Sequence, residues 1–255
     1  MNITPQLHAD IITLMPEMWP LFDHGVIARA AQKGLWSKTI WPLRNFSKRS
    51  DKRLDDRPYG GGPGMVLQAD VLFSCWDNIC QDSSTKPYLI LLDPGGQTID
   101  YSLLCKLRSQ PKITLICGRY EGIDQRFIDK EVDLCVTVGR FVVSGGDIPA
   151  MLLLDALVRM LPGALGNHAS FLEDSYTQNL LDHPVYTRPL NADFGQVPPV
   201  LASGHQANID QWKRGQMLGR TWQHFPQGLI NQPLSDDDIK LLQAYIKATQ
   251  LDSSP

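Results

Sequence analysis

Continuous apolar runs set the frame of this chain. "YLILLD" (Tyr88–Asp93) and "ITLICG" (Ile113–Gly118) show no polar alternation. Runs of that kind belong to strands buried on both faces, as in a parallel sheet. "VDLCVTVG" (Val132–Gly139) and "ADIITLM" (Ala9–Met15) read as two further strands. Between the first two runs, "TIDYSLLCKLRS" fits a crossover helix, and "GVIARAAQKG" (Gly25–Gly34) reads as a helix stopped by Gly34. In "DIPAMLLLDALVRMLPG", Asp147 can cap a strong helix, Pro149 fits its first turn and Pro162-Gly163 ends it. The stretch from Asn45 to Gly64 is polar and glycine-rich, a loop. Strand and helix thus alternate over residues 1–162, the pattern of an α/β domain.

The texture then changes. Residues 163–178, "GALGNHASFLEDSYTQ", have no clean period and read as a linker. A proline-punctuated stretch follows, and then two helical segments, "ANIDQWKRGQMLGRTWQH" and "SDDDIKLLQAYIKATQ". The second begins with a capping box, Ser235 to Asp238. Residues 179–255 therefore read as a small helical domain.

Composition narrows the class. The 255 residues are 43% hydrophobic and 20% charged, with a net charge of −3. These values suit a soluble globular protein, and no global positive field draws it onto nucleic acid. Five cysteines without a framework spacing point to free thiols in a reducing compartment. The first residues lack a basic n-region, and no uncharged apolar run reaches ~18 residues, so neither a signal peptide nor a membrane helix is expected. The expected location is cytoplasmic.

Three glycine-bearing turns follow three strand candidates: "DPGGQ" (Asp93–Gln97), "CGRYEG" (Cys117–Gly122) and "VGRFVVSGGDIP" (Val138–Pro149). Ligands in parallel α/β sheets bind at the carboxyl ends of strands, and glycines there let main chain approach them. Plain loop geometry would leave the same letters. None of the turns matches the common dinucleotide or P-loop signatures, and neither does "YGGGPGM". The six histidines show no metal spacing, and there is no CxxC and no GxSxG elbow. Arg159 on the long helix reads equally as a snorkelling side chain, and Asp174 beside Glu173 as a solvated acid. Arg49, Lys52, Arg53 and Arg57 in the polar loop could touch phosphate or only water. Lys213, Arg214 and Arg220 among Trp212 and Trp222 suit RNA, though a helix with core tryptophans looks the same.

Taken together, "DDRPYGGGPGM", "CGRYEGID", "VVSGGDIPAM", "LPGALG", "EDSY", "YTRP", "VPPVL" and "LGRTW" resemble, in order and spacing, bacterial tRNA (guanine-N1)-methyltransferases of the knotted SPOUT superfamily. The likeness runs from about Ile11 to Leu242. It implies a SPOUT-type parallel sheet with a deep trefoil knot, an exception to the rule that chains do not thread. It implies S-adenosylmethionine as methyl donor, a homodimer with sites at the subunit interface, and tRNA with G at 36 and 37 as the partner. The cofactor residues would be Pro94, Gly95 and Gly96, then Gly118, Tyr120 and Glu121, then Val138, Gly139, Arg140, Phe141, Val142, Val143, Gly145, Gly146 and Pro149. Asp174 would be the base for guanine N1, and Arg159 would stabilise the charge developing at O6. Arg57, Ser170 and Arg214 would touch substrate. Family members are often described as Mg²⁺-dependent, yet no site for the ion is visible in the sequence. Gln97, Arg140, Phe141 and Asp147 depart from the family pattern. Arg140 would put a cation near a sulfonium unless it faces solvent or phosphate. The other readings are a knotted methyltransferase for a different RNA position, an RNA binder without catalysis, and a nucleotide-binding α/β domain.

Overall fold

The computed structural model describes residues 5–83, 85–166, 174–230 and 232–252. The chain separates into two compact units, Met1–His168 and Ala169–Pro255. In the first unit the elements run β1 (Leu7–Thr13), a 3₁₀ helix (Pro16–Asp23), α1 (Gly25–Gln32), β2 (Trp36–Pro42), the short strands β3 (Asp55–Asp56) and β4 (Val66–Leu67), and α2 (Ala69–Gln81). They continue with β5 (Tyr88–Thr98), α3 (Tyr101–Arg108), β6 (Lys112–Ile116), α4 (Gln125–Glu131), β7 (Leu134–Thr137) and α5 (Asp147–Arg159).

Five strands form one sheet in the order β2-β1-β6-β5-β7, and every pairing is parallel. The apolar runs explain why. In β5, Ile90 and Leu92 face one side while Leu89 and Leu91 face the other, and all four are buried. The first side also takes Ile11 and Leu115 and is covered from α1, α3 and α5 by residues such as Ile27, Leu103 and Leu154. The second side takes Ile12 and Ile116 and is covered from α2 and α4 by Leu72, Trp76 and Phe127. A sheet clad on both faces is the setting in which parallel strands persist. A buried acid sits inside it. Asp10 on β1 accepts from Trp41 Nε1 on β2 at 2.7 Å, and its other oxygen lies 3.1 Å from Lys112 Nζ on β6. Burial pushes its carboxyl up, but hydrogen bonds from His8, Trp41 and Lys112 outweigh this and hold it below the usual carboxylate range.

The structure departs from the sequence reading in several places. β2, with its mixed "WSKTIWP", and the helix α2 were not expected. "DPGGQ" is no turn out of the sheet. β5 runs on to Thr98, and both Leu92 and Gln97 pair with Val136, so Asp93–Gly96 bulge out between them. Asp147 does not cap α5. The N-cap is Gly146, without a side-chain cap hydrogen bond, and the Asp147 side chain turns inward and is buried.

The second unit is mainly helical, with helices over Gln206–His224 and Asp236–Asp252 packed together. The expected capping box is present. Ser235 N donates to Asp238 Oδ2 at 3.3 Å, and Asp238 N donates to Ser235 Oγ at 3.1 Å. No helix of the described residues is long and apolar enough to cross a membrane.

Candidate active site

The carboxyl ends of β5, β6 and β7 converge on a cavity of about 220 Å³ in the first unit. Its floor is aliphatic, from Leu91, Leu92, Ile123 and Val136, and its walls are three chain segments. The first is the bulge, which brings Asp93 and Pro94. The second is the turn after β6, which brings Gly118, Arg119, Tyr120, Glu121 and Gly122. The third leads from β7 into α5 and brings Thr137, Val138, Phe141–Gly146 and Pro149. This is the strand end at which ligands bind in open parallel sheets.

Local chemistry shapes each wall. Asp93 Oδ1 accepts from Gly95 N at 2.7 Å and closes the bulge. Gly96 lies against the main chain of Cys135 and Val136 so tightly that a Cβ would overlap it. The β6 turn is held from outside: Glu121 N donates to Met65 O at 2.9 Å and Leu67 N to Gly122 O at 3.0 Å. Tyr120 carries a φ of 63°, a left-handed backbone uncommon for a residue with a side chain. Gly146 N donates to Gly118 O at 2.8 Å, and a Cβ on Gly146 would stand 2.8 Å from Cys117 Cα. These two backbones can approach only because position 146 has no side chain. On the rim, Phe141 and Val142 are 59% and 80% exposed, an apolar edge over an apolar floor.

A buried carboxylate lies behind the third wall. Asp147 Oδ1 accepts from Thr13 Oγ1 at 2.5 Å and from Trp19 Nε1 at 3.2 Å. Its Oδ2 stands 3.6 Å from Arg119 Nε, and among the described residues neither of these atoms makes a hydrogen bond. Burial, and next the Asp147 charge, push the neighbouring Cys117 thiol well up, so it stays protonated and is no nucleophile.

Of the cofactor residues expected from sequence, the structure places Pro94, Gly118, Tyr120, Glu121, Val138, Phe141, Val142, Val143, Gly145, Gly146 and Pro149 in the cavity wall. Gly95, Gly96, Gly139 and Arg140 do not line it. Gly96 packs on β7, Gly139 lies under the Phe141 ring, and Arg140 is exposed. Sequence reasoning passed over Asp93 and Arg119 in the wall and misread Asp147. An acid directly after the glycine pair in an otherwise apolar stretch was the available signal.

The remaining candidates are not among the residues that line this cavity. Arg159 is on the last turn of α5, beside a groove of about 950 Å³ lined by Met18, Leu21, Ile148 and Leu152. Asp174 belongs to the second unit, where its carbonyl accepts from Thr177 Oγ1 at 2.7 Å. Arg57 is exposed on the glycine-rich loop. Arg214 is engaged structurally: its guanidinium grips Asp238 with two bonds, 2.7 and 3.0 Å, tying one long helix to the cap of the other. This contact holds the Asp238 carboxyl below the usual range. Ser170 lies outside the described residues. Among the described residues no group of three or more His, Cys, Asp or Glu could hold a metal ion.

The comparisons with known proteins agree with one another. The family model described as tRNA (Guanine-1)-methyltransferase TrmD matches residues 7–232. A protein of Hydrogenovibrio crunogenus named tRNA (guanine-N(1)-)-methyltransferase is 46% identical over 218 residues, covering 85% of this chain and 92% of its own. Relatives of the same name from Vibrio cholerae and Serratia proteamaculans are 43% and 42% identical, each over 241 residues. They cover 94% of this chain and 98% and 94% of their own lengths.

Proposed function

This chain belongs to the tRNA (guanine-N1)-methyltransferase family and is a methyltransferase that modifies tRNA, and from that premise we propose that it transfers a methyl group from S-adenosylmethionine to N1 of guanosine 37 when a G precedes it. The observation that carries the donor site is the cavity where three main-chain segments meet at the ends of β5, β6 and β7. Its residues fit the donor. The aliphatic floor suits a flat ring, main chain freed of side chains at Gly118, Gly145 and Gly146 suits the edge of a base, and Asp93 and Glu121 suit hydroxyls or a cation. When bound, S-adenosylmethionine supplies an electrophilic methyl group on a sulfonium sulfur.

The chain's own residues do the rest. Neutral guanine carries a proton on N1, so its lone pair is not free for attack. The Asp174 carboxylate takes that proton. The Arg159 guanidinium holds the negative charge that grows on O6. The target base leaves its stack to reach the methyl group. The first unit holds the donor, in the knotted arrangement typical of the family, and the helical region of residues 179–255 holds tRNA. Arg57, Ser170 and Arg214 complete the substrate contacts, with Arg214 first releasing Asp238. The enzyme works as a cytoplasmic homodimer. Support for the dimer is the groove beside Arg159, whose rim exposes Leu21, Ile148 and Leu152 on one face.

The test is transfer of labelled methyl to two tRNA transcripts, one with G36-G37 and one with A37. Label on the G37 transcript alone is expected. Asp174→Ala should lower kcat by about 10²–10⁴ while leaving donor binding intact. Transfer to both transcripts, or undiminished transfer by Asp174→Ala, would overturn the reading.

A further inference from the structure

We propose that Asp147 is a positioning residue for the methyl donor: its buried carboxylate neutralises Arg119 in the cavity wall and so makes the cavity tolerant of a sulfonium. The inference rests on the reading of this cavity as the donor site.

The geometry carries it. Arg119 lines the cavity, and its side chain lies against Gly145, where a Cβ would meet its Cγ at 3.0 Å. Its Nε faces Asp147 Oδ2 at 3.6 Å, and Asp147 is only 1% exposed. Asp147 is fixed through its other oxygen to Thr13 and Trp19, so it cannot follow the arginine outward. Among the described residues, the charged groups in the cavity wall are Asp93, Glu121 and Arg119. Without Asp147, the guanidinium would keep no carboxylate within ion-pair distance among the described residues, and the repulsion it exerts on a cationic ligand in the cavity would rise. The pair is not a hydrogen-bonded clasp. Its effect is therefore chiefly electrostatic, and a structural tie would not require the charge.

S-adenosylmethionine and its product S-adenosylhomocysteine separate the two possibilities. They share the adenosine and amino-acid parts and differ in the charge at sulfur. Binding of each is measured by calorimetry on the full-length protein, with a thermal melt alongside. In Asp147→Asn, the amide oxygen still accepts from Thr13 and Trp19, but the charge is gone. Affinity for S-adenosylmethionine should fall about tenfold, with less than about threefold change for S-adenosylhomocysteine. The double variant Asp147→Asn with Arg119→Gln should restore the ratio. If Asp147→Asn does not fold, Arg119→Gln alone decides, because the ratio should then move the other way, toward the sulfonium. Equal losses for both ligands in Asp147→Asn would make Asp147 a structural residue and overturn the inference. So would an unchanged ratio. Equal losses in Arg119→Gln would make Arg119 a direct ligand contact and overturn it too. Wild type that binds neither molecule would sink the donor-site reading itself.

Discussion

The run Gly60–Gly61–Gly62 and the pair Gly145–Gly146 both belong to the first unit, one on the loop before β4 and the other on the segment before α5. In the loop, the three glycines take φ values of 84°, 77° and 117°, and a Cβ on any of them would meet nothing within 4 Å. There glycine is needed for torsion alone. Gly146 has an ordinary φ of −76°, and a Cβ there would strike the backbone of Cys117 and Gly118. There glycine is needed for proximity. The same letter thus serves two physical ends. In the loop it leaves Arg57 exposed and Tyr59 fully outside, and in the cavity it lets two main-chain segments lie side by side.

The largest effect that tests this contrast is Gly146→Ala. A methyl group 2.8 Å from Cys117 Cα and 2.9 Å from Gly118 N has only backbone to push against. Overpacking of this kind should cost about 3 kcal/mol, read as a lower urea midpoint at constant slope. Donor binding should weaken with it, because the wall that moves is the cavity wall. An unchanged midpoint with donor binding lost would mean that the glycine serves the ligand and not the packing.

A helix supplies the intermediate case. Gly219 and Gly215 sit one turn apart on the helix Gln206–His224, facing Asp236–Asp252. A Cβ on Gly219 would overlap the Tyr245 ring, while one on Gly215 would rest at an ordinary 3.7 Å from Leu241. Alanine is the better helix former by about 1 kcal/mol, so Gly215→Ala should stabilise the protein by up to that amount. Gly219→Ala should destabilise it by about 1–2 kcal/mol, since the ring has to shift. Thermal melts of the two variants, run side by side, should therefore move in opposite directions. Movement in the same direction would show that Tyr245 yields freely.

How far the sequence disclosed this follows from which signals are local. The buried strands were legible because "YLILLD" and "ITLICG" are apolar without alternation, and the structure buries both their faces. The capping box at Ser235 was legible because it lies within four residues. Strand β2 was missed because as an edge strand its side chains are mostly half-buried, which leaves no clean period. The bulge at Asp93–Gly96 was read as a turn because only the pairing of Gln97 back onto Val136 reveals it. The three segments that wall the cavity were marked by their glycines after strand runs, whereas the set of individual cofactor residues came from the family resemblance. The partnership of Asp147 with Arg119, Thr13 and Trp19 was not, since it spans up to 134 residues and no local pattern encodes it.

The smallest predicted effect is at Gly61, and it is also the sharpest test of the contrast. An alanine at φ 77° is strained by about 1–2 kcal/mol. The same substitution stiffens the unfolded chain, which offsets about 0.4–1 kcal/mol. Nothing packs on the site, so no clash adds to the balance. Gly61→Ala should therefore lower stability by about 0–1.6 kcal/mol, centred below 1, and S-adenosylhomocysteine affinity should stay at the wild-type value. A loss of tRNA methylation in a variant that melts normally and binds the product normally would assign the loop to the tRNA. Its glycines would then serve the motion that brings Arg57 to phosphate. A loss of donor binding would instead mean that the loop reaches the cavity through Met65 and Glu121, and the separation between torsional and proximity glycines would fail at this position.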